Sequence, residues 1–145
     1  MKKTRLLPLL IGSLYITLFL AACSKNSDTP DTPLDDPDLA SAKVLAEGTL
    51  TGSGNYQVSG RVAILDSNGV KILRFENFNS SNGPDLKVYL SRDAAASRFI
   101  SLGKLKSVSG NQNYNISGMP DLMEYPYVLV WCERFGVLFG SANLK

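Results

Sequence analysis

From residue 44 onward, apolar and polar positions alternate with a period of two in short segments separated by turn residues, the pattern of an all-β protein. One segment, residues 127–132, is apolar on both sides. Tyr127, Leu129 and Trp131 point to one side and Val128, Val130 and Cys132 to the other, and polarity returns only at Glu133 and Arg134. Such a run predicts a central strand buried on both faces. After the bend offered by Gly136, Leu138, Gly140, Ala142 and Leu144 alternate with Val137, Phe139, Ser141 and Asn143, which predicts a closing strand with one apolar face.

Upstream, Val58, Gly60, Val62 and Ile64 share a face opposite Gln57, Ser59 and Arg61. Asp66-Ser67-Asn68-Gly69 then predicts a hairpin turn, because Asn-Gly accepts positive φ. The returning strand changes parity between Phe75 and Phe78, which places a bulge near Glu76 or Asn77. Leu86, Val88 and Leu90 alternate with Lys87 and Tyr89 in a half-buried strand. Residues 93–99 predict one helical turn capped by Asp93. Residues 102–105 and 114–116 predict short strands around a Ser109-Gly110-Asn111 turn, and Gly118-Met119-Pro120 breaks the chain before residue 127. With a first strand at residues 45–50, the expectation is a single domain over residues 43–145. Its fold is all-β, an antiparallel β-sandwich or partly closed barrel of about eight strands, with two packed sheets as the simplest arrangement.

The first part of the chain obeys other rules. Residues 1–22 begin with Met-Lys-Lys-Thr-Arg, continue through an apolar run over 6–20, and end in Leu20-Ala21-Ala22 before Cys23. This is the build of a secretion signal. The cysteine after small residues resembles the bacterial lipobox, which implies that Cys23 is diacylated and becomes the mature N-terminus. Buried acyl chains at about 0.8 kcal/mol per methylene would then anchor the protein. Ser24, rather than an aspartate, follows it, and the same resemblance implies sorting to the outer membrane. Residues 24–42 carry three prolines and five aspartates with few apolar side chains. They cannot bury enough surface to offset their ordering entropy, so residues 23–42 are expected to be a lipidated cysteine followed by a disordered acidic tether, roughly 25 Å between its ends as a flexible coil.

Composition then narrows the chemistry. Histidine is absent, which removes the usual general base and the commonest metal ligand. A hydrolase triad of the usual kind cannot be assembled, and no tightly bound zinc is expected. The net charge of +2 includes Lys2, Lys3 and Arg5 of the signal; without them the balance is about −1, so nothing marks a nucleic-acid partner. The carboxylates Asp85, Asp121, Glu124 and Glu133 are too scattered in sequence to suggest a pair.

Three blocks resemble the DM13 domain: Gly83-Pro84-Asp85-Leu86-Lys87-Val88-Tyr89-Leu90-Ser91; Leu102-Gly103-Lys104-Leu105 with Gly110-Asn111-Gln112-Asn113-Tyr114; and Val130-Trp131-Cys132 through Phe135 to Phe139-Gly140 and Ala142. The resemblance implies a β-sandwich found in extracellular and membrane-attached proteins, often beside DOMON domains, that passes electrons through its cysteine. Its partner would be another redox or envelope protein, and autonomous enzymatic turnover is not implied. Many members carry a histidine where this chain has Gln57, so a haem or other redox group that needed it would lack its ligand. Met119 and Met123 offer thioethers instead, although methionines more often fill gaps.

Cys132 therefore has two readings. Unpaired cysteine commonly behaves as a small buried hydrophobe. A redox thiol needs an electropositive, partly exposed setting, for which Trp131 and Arg134 on the same strand are the supporting candidates, and it would react with thiol reagents in the folded protein. In the motif Gly83-Pro84-Asp85, the aspartate is expected to fix its loop by accepting bonds from backbone amides. The competing reading of the whole domain is a non-catalytic binding or structural module of the cell envelope with Cys132 as a core residue.

Overall fold

The computed structural model describes residues 39–145. The expected signal segment, Cys23 and all but the last few residues of the tether lie outside the described residues. A short 3-10 turn, Leu39–Ser41, precedes eight strands: β1 Lys43–Gly52, β2 Val58–Ser67, β3 Val70–Ser80, β4 Leu86–Ser91, β5 Phe99–Lys104, β6 Ser109–Ile116, β7 Tyr127–Cys132 and β8 Val137–Asn143. They pair antiparallel in the order β5-β4-β7-β8-β1-β2-β3-β6. Of the two all-β forms expected, the chain adopts the partly closed barrel: the strands make one barrel-like sheet rather than two stacked ones.

Turn chemistry sets the local registers. Asn68 and Gly69 both have positive φ, 52° and 83°, so β2 and β3 are joined by a two-residue turn whose twist matches that of the strands. Gly69 N donates to Asp66 Oδ1 at 2.8 Å and fixes it. The bulge falls where the parity change places it: the β3–β6 register shifts between Phe75 and Phe78, Asn77 has φ 49°, and its N–H donates to Asn111 Oδ1 at 2.9 Å. The kink lets both Phe75 and Phe78 point inward, where their rings stack at 4.8 Å.

Two local expectations are corrected. Residues 93–99 do not form a helical turn. Asp93 Oδ1 accepts from the amides of Ala95 and Ser97 at 3.0 and 3.1 Å, which makes a side-chain-closed turn, and Phe99 already opens β5. A short polar side chain that satisfies two amides outcompetes one isolated turn of helix. Ser109, Gly110 and Asn111 are not a turn but the first residues of β6, paired with β3 through Asn79 and Phe78. The turn lies instead at residues 105–108.

The core runs inside the sheet and includes Val62, Ile64, Leu73, Phe75, Val88, Leu90, Val128, Val130 and Phe139, each nearly or fully enclosed. No ladder joins the edge strands β5 and β6 at the seam; side chains of β6 instead hold the connection that runs between them. Lys106 N donates to Tyr114 Oη at 2.9 Å, and Gln112 Nε2 donates to Ser107 O at 2.7 Å. The alternation of strand direction sorts the connections to two ends. One end gathers residues 53–57, 81–85, 105–108 and 133–136. The other gathers residue 43, the β2–β3 turn and residues 92–98 and 117–126.

Candidate functional site

β4 and β7 lie side by side with Leu86 opposite Cys132, Lys87 opposite Trp131, and Tyr89 opposite Leu129. Because side chains alternate across a strand, this register separates two sets. Leu86, Val88, Val130 and Cys132 point into the core. Lys87, Tyr89, Leu129 and Trp131 point outward.

Cys132 is a free thiol with no exposed surface. It ends β7, with Leu86 on one side and Val137 on the other. The expected partly exposed, electropositive setting is not present around it. Trp131 is half-buried on the opposite face of the strand and outside the core cluster that holds Cys132. Arg134 is not on the strand: the chain turns at Glu133, closed by Gly136 N donating to Cys132 O at 2.9 Å, and Arg134 is exposed in that turn. The exposed setting that the redox reading of the thiol asked for is thus absent, and the burial agrees with the reading of Cys132 as a core residue.

The motif Gly83-Pro84-Asp85 lies at the same end. A Cβ at Gly83 would stand 2.9 Å from Leu86 Cδ2 and from Phe139 Cζ, so the loop packs directly on the core and a side chain there would have to displace one of them. Asp85 does not bond backbone amides through its carboxylate, contrary to expectation. Its carboxylate pairs with Lys87 Nζ at 3.1 Å, and its carbonyl accepts from Glu133 N at 3.0 Å. Lys87 also reaches Glu133 Oε2 at 3.5 Å. Two carboxylates judged too scattered to pair, Asp85 and Glu133, are therefore gathered by one ammonium. The hydrogen bond to Asp85, with Glu133 adding to it, holds Lys87 above its ordinary value.

Tyr89 completes the cluster. Its hydroxyl donates to Glu133 Oε1 at 2.5 Å, its ring stacks on Phe99 at 4.1 Å, and it is 1% exposed. Sequence reasoning placed Tyr89 on the polar side of a half-buried strand and gave it no role. The available signal was a phenol two residues from a lysine on one strand face, but its carboxylate partner lies 44 residues away. Burial, and then the bond to Glu133, push the Tyr89 phenol well above the usual range.

Tyr114, the seam residue on β6, is pushed up to about 12 by burial. Both phenols favour their neutral form when folded, so the stability they contribute is complete below the unfolded value near 10 and is lost as pH rises through the folded values, about 12 for Tyr114 and higher for Tyr89. The denaturant midpoint is expected to fall between about pH 9 and about pH 11.5. An unchanged midpoint would show that these phenols are free to ionise in the fold.

The other sequence candidates are not brought together. Met119 and Met123 are 78% and 88% exposed in the β6–β7 connection, at the end away from Cys132. Gln57 is exposed in the β1–β2 connection, where its backbone exchanges bonds with Ser81. No group of three or more His, Cys, Asp or Glu side chains able to hold a metal occurs among the described residues. Cys132 belongs to an apolar core cluster that holds no second sulfur and no imidazole, so these residues do not fit a haem or metal centre at Cys132.

The fold and site define a small all-β barrel that encloses one free thiol and carries a charged and aromatic network on its outer wall. The family profile described as Electron transfer DM13 matches residues 50–144, and the chain belongs to this family. No curated protein and no solved structure matches the chain.

Proposed function

We propose that this protein is a lipid-anchored electron-transfer module of the bacterial cell envelope that relays single electrons to another redox protein and has no turnover of its own, with Cys132 as its redox residue. The family supplies the reaction class. The observation that supports the assignment to this residue is that the described domain keeps one unpaired thiol, in its core at the end of β7. Complete burial of the thiol shuts out disulfide exchange with a partner's cysteine, which needs direct approach of sulfur to sulfur. Electrons would have to cross the wall of the barrel instead.

A second reading, a binding or structural module with Cys132 as packing, is favoured by the same 0% exposure. Full-length lipidated protein and its Cys132→Ala variant, compared for electron exchange with envelope membranes, separate the two. Loss of exchange in a folded variant supports the redox residue; unchanged exchange assigns Cys132 to packing.

The anchor has its own test. Mass spectrometry is expected to find residue 23 as a diacylated N-terminal cysteine, and Cys23→Ala should release the protein from the membrane fraction. An unmodified Cys23 in an intact chain would refute the anchor.

A further inference from the structure

Two buried tyrosines of this domain hold their hydroxyls in chemically different ways. Tyr114 donates to the neutral amide oxygen of Gln112 at 2.7 Å. Tyr89 donates to a carboxylate oxygen of Glu133 at 2.5 Å. An amide oxygen is too weak a base to take a phenol's proton, whereas a carboxylate is a competent general base at this distance. The difference matters for oxidation. A phenol that loses an electron becomes strongly acidic, and in a desolvated site the resulting charge is costly unless the proton leaves with the electron.

We propose that Tyr89 is a redox-active residue, oxidised by one electron to its neutral phenoxyl radical while its hydroxyl proton passes to Glu133. The O–H bond of Tyr89 breaks, a new O–H bond forms on Glu133 Oε1, and the electron reduces a one-electron metal centre of haem or copper type on a partner protein by one unit. The reverse transfer restores both side chains. This inference rests on the electron-transfer reading and adds to it a site on the outer wall of the barrel, separate from the enclosed thiol.

The surroundings fit that chemistry. Lys87 holds the second oxygen of Glu133 at 3.5 Å and is itself held by Asp85 at 3.1 Å, which keeps Oε1 aimed at the phenol. Glu133 is 44% exposed and borders a groove with Asp85, Lys104 and Arg134, so a proton taken from Tyr89 has a route to solvent. Tyr89 itself is sealed from water, which protects a radical, yet Phe99 stacked on it at 4.1 Å is 43% exposed. One ring therefore separates Tyr89 from a docked partner. Trp131 stands on the same outer face, diagonal to Tyr89 across the β4–β7 pair.

The test oxidises the full chain with a photogenerated ruthenium(III) polypyridyl complex and follows the radical by transient absorption and electron paramagnetic resonance. Wild type is expected to give a fast-forming tyrosyl radical whose fast phase Tyr89→Phe abolishes, leaving only the slower oxidation of the other tyrosines. Glu133→Gln, which keeps the shape and an acceptor oxygen but not the base, should slow its formation by roughly a hundredfold or more. Circular dichroism verifies that both variants fold; each removes one functional group and no packing volume. A fast phase that survives in Tyr89→Phe, or that forms equally fast in Glu133→Gln, overturns the proposal. Because the oxidant is a small molecule, this outcome is independent of exchange with envelope membranes, which tests the family function instead.

Discussion

Cys132 in the native protein is expected to react with a maleimide or disulfide reagent at least about a thousandfold more slowly than in the denatured chain. The thiol has no exposed surface and sits between Leu86 and Val137 within the core, so reagent reaches it only when β7 opens. Opening of a core strand costs up to the global stability, about 5 kcal/mol or more, and each 1.4 kcal/mol is about a tenfold suppression. The check is a labelling time course with and without denaturant, read by intact mass. Rapid labelling in buffer would mean that the thiol is accessible, and would restore disulfide exchange as a mechanism. Replacement separates packing from polarity. Cys132→Ala should cost on the order of 1 kcal/mol for the lost sulfur contacts, and Cys132→Ser more, because a hydroxyl placed among aliphatic side chains finds no partner.

Gly140→Val is expected to destabilise the domain by about 3 kcal/mol or more and to lower Tm by more than about 10 °C. Gly140 sits where β8 meets β1, paired with Gly52. A Cβ there would lie 2.6 Å from Val58 Cβ and 2.8 Å from Thr51 O, and neither can withdraw: Val58 is part of the core and Thr51 is backbone in a ladder. The sheet would have to part at the junction that joins its β5-β4-β7-β8 half to its β1-β2-β3-β6 half. Gly54→Ala is the control. Nothing lies within 4 Å of a Cβ at Gly54, and its φ of 59° alone should cost about 1–2 kcal/mol. Equal losses for the two variants would show that β8 is not packed against β1 and β2 as described.

What the sequence by itself determined is local. Period-two alternation over residues 58–65 and 86–90 marked strands that bury one face, the unbroken apolar run over 127–132 marked a strand buried on both, and Asn68-Gly69 marked a turn because both residues accept positive φ. The parity change between Phe75 and Phe78 marked a bulge, since both rings had to reach the same side. The blocks around Gly83-Pro84-Asp85 and Trp131-Cys132 marked the family. Tertiary structure decided everything that depends on which distant segments become neighbours. Adjacency in sequence made Trp131 and Arg134 the natural companions of Cys132, but pleating sends Trp131 to the other face and the turn after β7 carries Arg134 into solvent. The register of β4 against β7 instead gathered Asp85, Lys87, Tyr89 and Glu133 on the outer wall and left Cys132 inside it. Alternation within each strand fixes only the parity of that register, because a slip of β4 by one residue would turn Val88 outward and draw Lys87 into the core; which residue stands opposite which is decided only when the two strands pair.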